Sequence, residues 1–163
     1  YSTQRRCKDR ENMAGNSLGK TKKFNKQLYD KSDKTSKDAI VSYLKKKKHH
    51  ITNVVEKFSC DIESISEDGI VCFSETEIKY SWKGEWPSSW KDVRIPYRKQ
   101  KLLDRIKENL TFYVLRDDCK EAWVISDIAL EKYATVIEVP NRYVPDGEKF
   151  FSVPVDKIYK ISL

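Results

Sequence analysis

The tetrapeptide Ser66-Glu67-Asp68-Gly69 constrains this chain more than any other stretch. An Asp-Gly step between two apolar runs marks a hairpin, because the turn needs residues that tolerate positive φ. It predicts two antiparallel arms, 60–65 (CDIESI) and 70–79 (IVCFSETEIK). Side chains alternate along a strand, so Glu75, Glu77 and Lys79 share one face of the second arm. Asp61 stands near the start of the first arm, across the turn. A solvated strand edge would carry such a pattern, and so would a metal-dependent active site.

The elements around the hairpin complete one α/β domain. A helix is expected over about 35–48, capped by Thr35 or Ser36, with Asp38 in its first turn and Lys45–Lys48 at its end. A strand follows at 51–56. Residues 80–93 hold Trp82, Trp86 and Trp90, and Gly84 and Pro87 make this stretch a loop. A second helix is expected over 96–108, with Pro96 at its start. Strands are expected at 111–116 and 121–126, then a short helix at 127–133 and a short strand at 136–139. The tail is broken by Pro145 and Pro154. Residues 1–24 are polar and basic and read as a flexible arm, which leaves 25–163 as a single domain.

Charge is distributed unevenly. The chain of 163 residues has 32 Lys/Arg and 25 Asp/Glu, net +7. Residues 1–57 hold 16 basic and 6 acidic side chains, a local +10, and the remaining 106 residues sum to −3. A basic segment on a mildly acidic body suits a polyanionic partner, or a solubilising surface. No apolar run approaches the ~20 residues needed to span a bilayer. No secretory signal pattern opens the chain. Cys7, Cys60, Cys72 and Cys119 are dispersed and accompanied by only two histidines, which argues against a structural zinc site. They read as reduced thiols of an intracellular protein. His49 and His50, after the lysine run, read as a surface turn.

Asp61, Glu77 and Lys79 form the chemical constellation of interest. Two carboxylates on neighbouring strands can share a hard divalent ion whose shell is completed by water and phosphate oxygens. Such an ion polarises a phosphodiester and lowers the pKa of a bound water. A lysine on the same face can orient that water or stabilise negative charge. In a chain with 35% charged residues an E-x-K triplet also arises by chance.

The order helix, strand, Asp61, turn, strand, Glu77-Ile78-Lys79, helix resembles the PD-(D/E)XK nuclease superfamily over about residues 36–126. Cys60 stands where the family usually has proline. The resemblance implies a restriction-endonuclease-like core, a mixed β-sheet flanked by helices. It implies that Asp61, Glu77 and the Ile78 main-chain carbonyl bind Mg2+ or Mn2+ and that Lys79 is the catalytic lysine. Asp38 is the candidate for the acidic residue that many members place on the first core helix. Glu75 either contributes to metal binding or is simply solvated.

The expected activity is therefore metal-dependent phosphodiester hydrolysis of DNA, with RNA left open because it carries the same phosphate charge. Cutting both strands would call for two active sites, and hence a homodimer. Lys45 and Lys46, with Arg94, Arg98, Lys99 and Lys101, are candidate phosphate contacts. Trp82 and Trp86 are candidates to stack on bases, or to pack in the core. Two other readings stand beside this one: a catalytically silent nucleic-acid-binding protein, and a structural or interaction protein.

Overall fold

The computed structural model describes residues 26–54, 60–143 and 145–163. The expected arm over 1–24 lies outside them, as does the end of the strand expected over 51–56. The elements are α1 (Lys26–Lys46), β1 (His50–Asn53), β2 (Ile62–Ile65), β3 (Val71–Ile78), β4 (Asp92–Pro96), a 3-10 turn (Tyr97–Lys99), α2 (Gln100–Arg105), β5 (Leu110–Leu115), β6 (Glu121–Ser126), α3 (Asp127–Tyr133), β7 (Thr135–Val139), β8 (Glu148–Pro154), a second 3-10 turn (Val155–Lys157) and β9 (Tyr159–Ser162).

Six strands form a mixed sheet in the order β1-β2-β3-β5-β6-β9. The pairs β1–β2, β2–β3, β5–β6 and β6–β9 are antiparallel, and β3–β5 is parallel. The Ser66–Gly69 turn closes the β2–β3 hairpin as the sequence demands. Gly69 has φ 84°, its amide donates to the Ser66 carbonyl, and Ser66 Oγ accepts from the Ile70 amide. A parallel neighbour for β3 needs a crossover. That crossover carries β4, the first 3-10 turn and α2. The strands β4, β8 and β7 form a second, antiparallel sheet.

Residues of β5 and β6 are buried on both faces, which explains their near-continuous apolar sequences. On one face Tyr113, Leu115, Ala122 and Val124 meet Ile40 and Leu44 of α1. On the other face Leu110, Phe112, Val114, Trp123 and Ile125 pack with Val93, Ile95, Phe151 and Val153 of the second sheet, Leu102 of α2 and Leu130 of α3. The large sheet is thus a middle layer. Among the described residues no helix is long and apolar enough to cross a membrane.

Several boundaries differ from expectation. Helix α1 starts at Lys26, so Thr35 and Ser36 lie inside it and are not caps. Their hydroxyls bond back to the Lys31 and Asp33 carbonyls, at 2.8 Å each, which satisfies them within a helix. The helix expected over 96–108 shrinks to a 3-10 turn and the six residues of α2. Residues 92–96, assigned partly to a loop, form β4 because the distant β8 supplies their partner. Strands β8 and β9 in the tail were not foreseen. The 127–133 helix forms as expected, with Ser126 Oγ accepting from the Ala129 amide.

Ile40 is fully buried between α1 and the sheet. Ile40→Ala is expected to cost about 2–5 kcal/mol by denaturant unfolding, whereas exposed Ser42→Ala should stay within about 0.5 kcal/mol. Equal effects would mean that α1 is not anchored through this face.

Candidate active site

The site lies at the start of β2. Ile62↔Ser74 is the last registered pair of β2 with β3, while β3 runs on to Ile78 beside β5. Amides of Phe73 and Lys79 bond toward β5, so those of the even residues point toward β2. At Thr76 no β2 backbone remains to accept. The Asp61 carboxylate takes that place: Oδ2 accepts from the Thr76 amide at 2.9 Å and lies 3.4 Å from Thr76 Oγ1. By the same alternation the Ile78 carbonyl points to this side of β3.

The Asp61 amide donates to Glu75 Oε2 at 2.8 Å, and Glu75 Oε1 accepts from Lys99 Nζ at 2.6 Å. Asp61, Glu75, Thr76 and Lys99 are all nearly or fully buried. From the other side, α1 presents Asp33, Ser36 and Lys37, spaced so that they share one helix face. Lys37 Nζ lies 3.1 Å from Asp33 Oδ2 and 3.8 Å from Asp61 Oδ1. Ser36 Oγ lies 3.4 Å from Thr76 Oγ1. A polar chain therefore runs Asp33, Lys37, Asp61, Glu75, Lys99 through the core of the molecule, with the two acids Asp61 and Glu75 adjacent in it.

Burial, and then the charge of Glu75, push the Asp61 carboxyl up to about 7, against the pull of Lys37, the Thr76 amide and Lys99. The neighbouring Cys60 thiol is pushed up to about 12, mainly by burial and by Glu75. It is a poor nucleophile there.

The residues expected to act together divide into two groups. Asp61 meets Glu75, the carboxylate with no assigned role. Glu77 lies two residues further along the same face, where it lines a small cavity with Glu75, Lys99, Ile95 and Val114. Lys79 is half-buried with its Nζ 5.1 Å from the centroid of the Trp90 ring. Burial and Arg94 lower the Lys79 pKa, partly offset by Glu77 and Asp92.

Two expectations need correction, and the open choice for Trp82 and Trp86 falls to the core. Asp38 points to solvent and pairs with Lys34 at 2.8 Å; the helix acid facing Asp61 is Asp33. Asp33 was missed because the helix was expected to begin after it. Lys99 is an internal counter-ion of Glu75, not a surface phosphate contact. Trp82 is wholly buried and Trp86 packs against the core. Trp82, Trp86, Trp90 and Trp123 form a run of edge-to-face contacts with centroids 5.0–5.4 Å apart, without any helix to space them. Arg94 and Lys101 are exposed, Arg98 is half-buried, and Lys45 and Lys46 are exposed at the end of α1.

The chemistry of the donor set fits a hard cation in one respect. Asp33 Oδ1 and Asp61 Oδ1 are buried carboxylate oxygens without a hydrogen-bond partner. Among the described residues no three His, Cys, Asp or Glu side chains converge as a cation site, and ammonium groups of Lys37 and Lys99 lie against the carboxylates. Comparison with protein-family models, curated proteins and solved structures finds no match to this chain.

Two stability measurements test the network. Free aspartate titrates near 3.8, so the unfolded chain releases the Asp61 proton at lower pH than the fold does. The stability this proton confers is complete below about pH 4 and is lost as pH rises through about 7. The stability of wild type relative to Asp61→Asn should therefore improve as pH falls from 8 to 5 in denaturant titrations. A pH-independent difference would count against the raised pKa. Separately, Lys99→Met strands a buried Glu75 and is expected to cost about 3–5 kcal/mol, with much of the loss recovered in Lys99→Met/Glu75→Met. Additive losses would mean that the pair is not coupled.

Proposed function

We propose that the protein hydrolyses phosphodiester bonds of DNA in a reaction dependent on Mg2+ or Mn2+, with Asp61 and Glu75 at its centre and Glu77 and Lys79 at its outer edge. The observation that carries this reading is the meeting of Asp61 and Glu75 beside the start of β2, where β3 extends beyond its neighbour. The element order supports it: a helix, an antiparallel three-strand meander, a crossover, and a strand parallel to β3. That is the arrangement expected of a PD-(D/E)XK core.

Asp61 and Glu75, with Glu77 and the Ile78 carbonyl further along β3, are the groups that would hold the cation. When bound, the cation supplies Lewis acidity toward the phosphodiester and a more acidic water. The remaining work belongs to the chain. Lys99 fixes the orientation of Glu75, and Glu75 in turn holds the Asp61 backbone. Lys79, half-buried and next to Arg94, brings positive charge to the edge of the site where a phosphate would sit. Arg94 and Lys101 offer phosphate contacts from the surface beyond it.

A second reading has its own support. Lys37 and Lys99 already neutralise the buried carboxylates, as suits a structural network in a catalytically silent nucleic-acid-binding protein. A cleavage panel of circular, linear, nicked, branched and RNA substrates with Mg2+, Mn2+ or chelator separates the two. The nuclease reading expects cation-dependent cleavage, reduced about 100-fold or more in Glu77→Ala and Lys79→Ala variants that remain folded. Salt-sensitive binding without cleavage of any substrate would support the silent binder instead.

A further inference from the structure

A second surface, away from the Asp61 network, combines an exposed tyrosine ring with ammonium groups. Tyr113 of β5, Val124 of β6 and Tyr159 of β9 lie in one cross-strand row on the α1 face of the large sheet. The row ends at the sheet edge, where Tyr159 is 59% exposed. Above it, Tyr43 of α1 meets Tyr113 edge to face, with centroids 6.2 Å apart. Lys47, one helical turn beyond Tyr43, holds its Nζ 5.7 Å from the Tyr43 ring centroid. Lys45, Lys46 and Lys48 are exposed on the same last turn and the residues that follow it. Burial raises the phenol pKa of both Tyr43 and Tyr159, and Lys47 partly offsets the rise at Tyr159.

The chemistry of this patch selects its ligand. The Tyr159 ring, exposed at the sheet edge, offers a flat apolar face. Such a face takes up a base only if the base has left its own stack, which favours a single strand over a duplex. The lysines at the end of α1 supply charge complementary to the adjoining phosphates, which lysine meets as a point charge. An acidic peptide would match the lysines yet would leave the exposed Tyr159 ring without a planar partner.

We propose that the surface formed by Tyr43, Tyr159 and Lys47 binds single-stranded nucleic acid, stacking a base on Tyr159 and holding the adjacent phosphates with Lys47 and its neighbours. This site does not depend on the cleavage reading. Lys37, the α1 residue next to Asp61, precedes Tyr43 by six residues, about 9 Å along the helix axis.

The test is fluorescence anisotropy of labelled oligo-dT and of a labelled duplex, in chelator so that cleavage plays no part. Wild type should bind oligo-dT more tightly than the duplex. Tyr159→Ala should weaken oligo-dT binding by about five- to a hundred-fold, the loss of one stacked base. Tyr159→Phe should retain it, since the ring and not the hydroxyl does the stacking. Lys47→Gln should reduce the magnitude of the log–log salt slope by about 0.7. Circular dichroism and thermal unfolding confirm that each variant is folded. Unchanged binding in Tyr159→Ala, preference for duplex, or equal competition by poly-glutamate would each overturn the proposal. Cleavage retained in Lys79→Ala with oligo-dT binding lost in Tyr159→Ala would sink the cleavage reading alone; cleavage lost in Lys79→Ala with oligo-dT binding unchanged in Tyr159→Ala would sink this proposal alone.

Discussion

The hydrogen bond from the Thr76 amide to the Asp61 carboxylate holds the rest of the structure in register. A strand that outlasts its neighbour leaves backbone amides facing a dry interior, and an unmet amide there is costly. One aspartate at the start of β2 meets that need for β3. To do so it must be buried, and a buried carboxylate calls for compensating charge and hydrogen bonds. Lys37 from α1 supplies charge on one side, and Glu75 with its partner Lys99 closes the network on the other. The helix, the hairpin and the crossover segment are thereby tied to one point.

This arrangement makes the centre of the molecule both rigid and chemically loaded. Each acid of the network has an ammonium group beside it, Lys37 for Asp33 and Asp61 and Lys99 for Glu75, which is the condition under which buried ions are tolerated. It also leaves Asp61 titrating near neutrality, a property more common at functional sites than in inert packing. The outer pair, Glu77 and Lys79, sits closer to solvent with Trp90, Arg94 and Asp92 around it. In the proposed site the inner group would be the floor and the outer group the approach.

Much of the local structure was legible. The hairpin at 66–69, the apolar strands β5 and β6, and the short helix capped by Ser126 each follow from a few neighbouring residues whose preferences agree. The hairpin was enough to set Asp61 opposite β3. It was not enough to choose between Glu75 and Glu77, because both share a face and differ only in how far along β3 they lie. That choice came from where β2 begins. Asp33 was hidden by an N-terminal boundary set nine residues too late, where polar residues weakened the apolar pattern. Lys99 looked like one basic residue among several in the crossover, and nothing local marks it as buried.

The sequence by itself determined the strand alternation, the turn that pairs β2 with β3, and the placing of Glu75, Glu77 and Lys79 on one face, because these depend on contacts a few residues apart. Only the tertiary structure decided that Asp61 pairs with Glu75, that Lys99 crosses 24 positions to neutralise it, and that β4 finds β8 in the tail. Those outcomes rest on the desolvation of charges and the pairing of strand edges. Both are settled by what surrounds a residue in space, and no window along the chain contains that information.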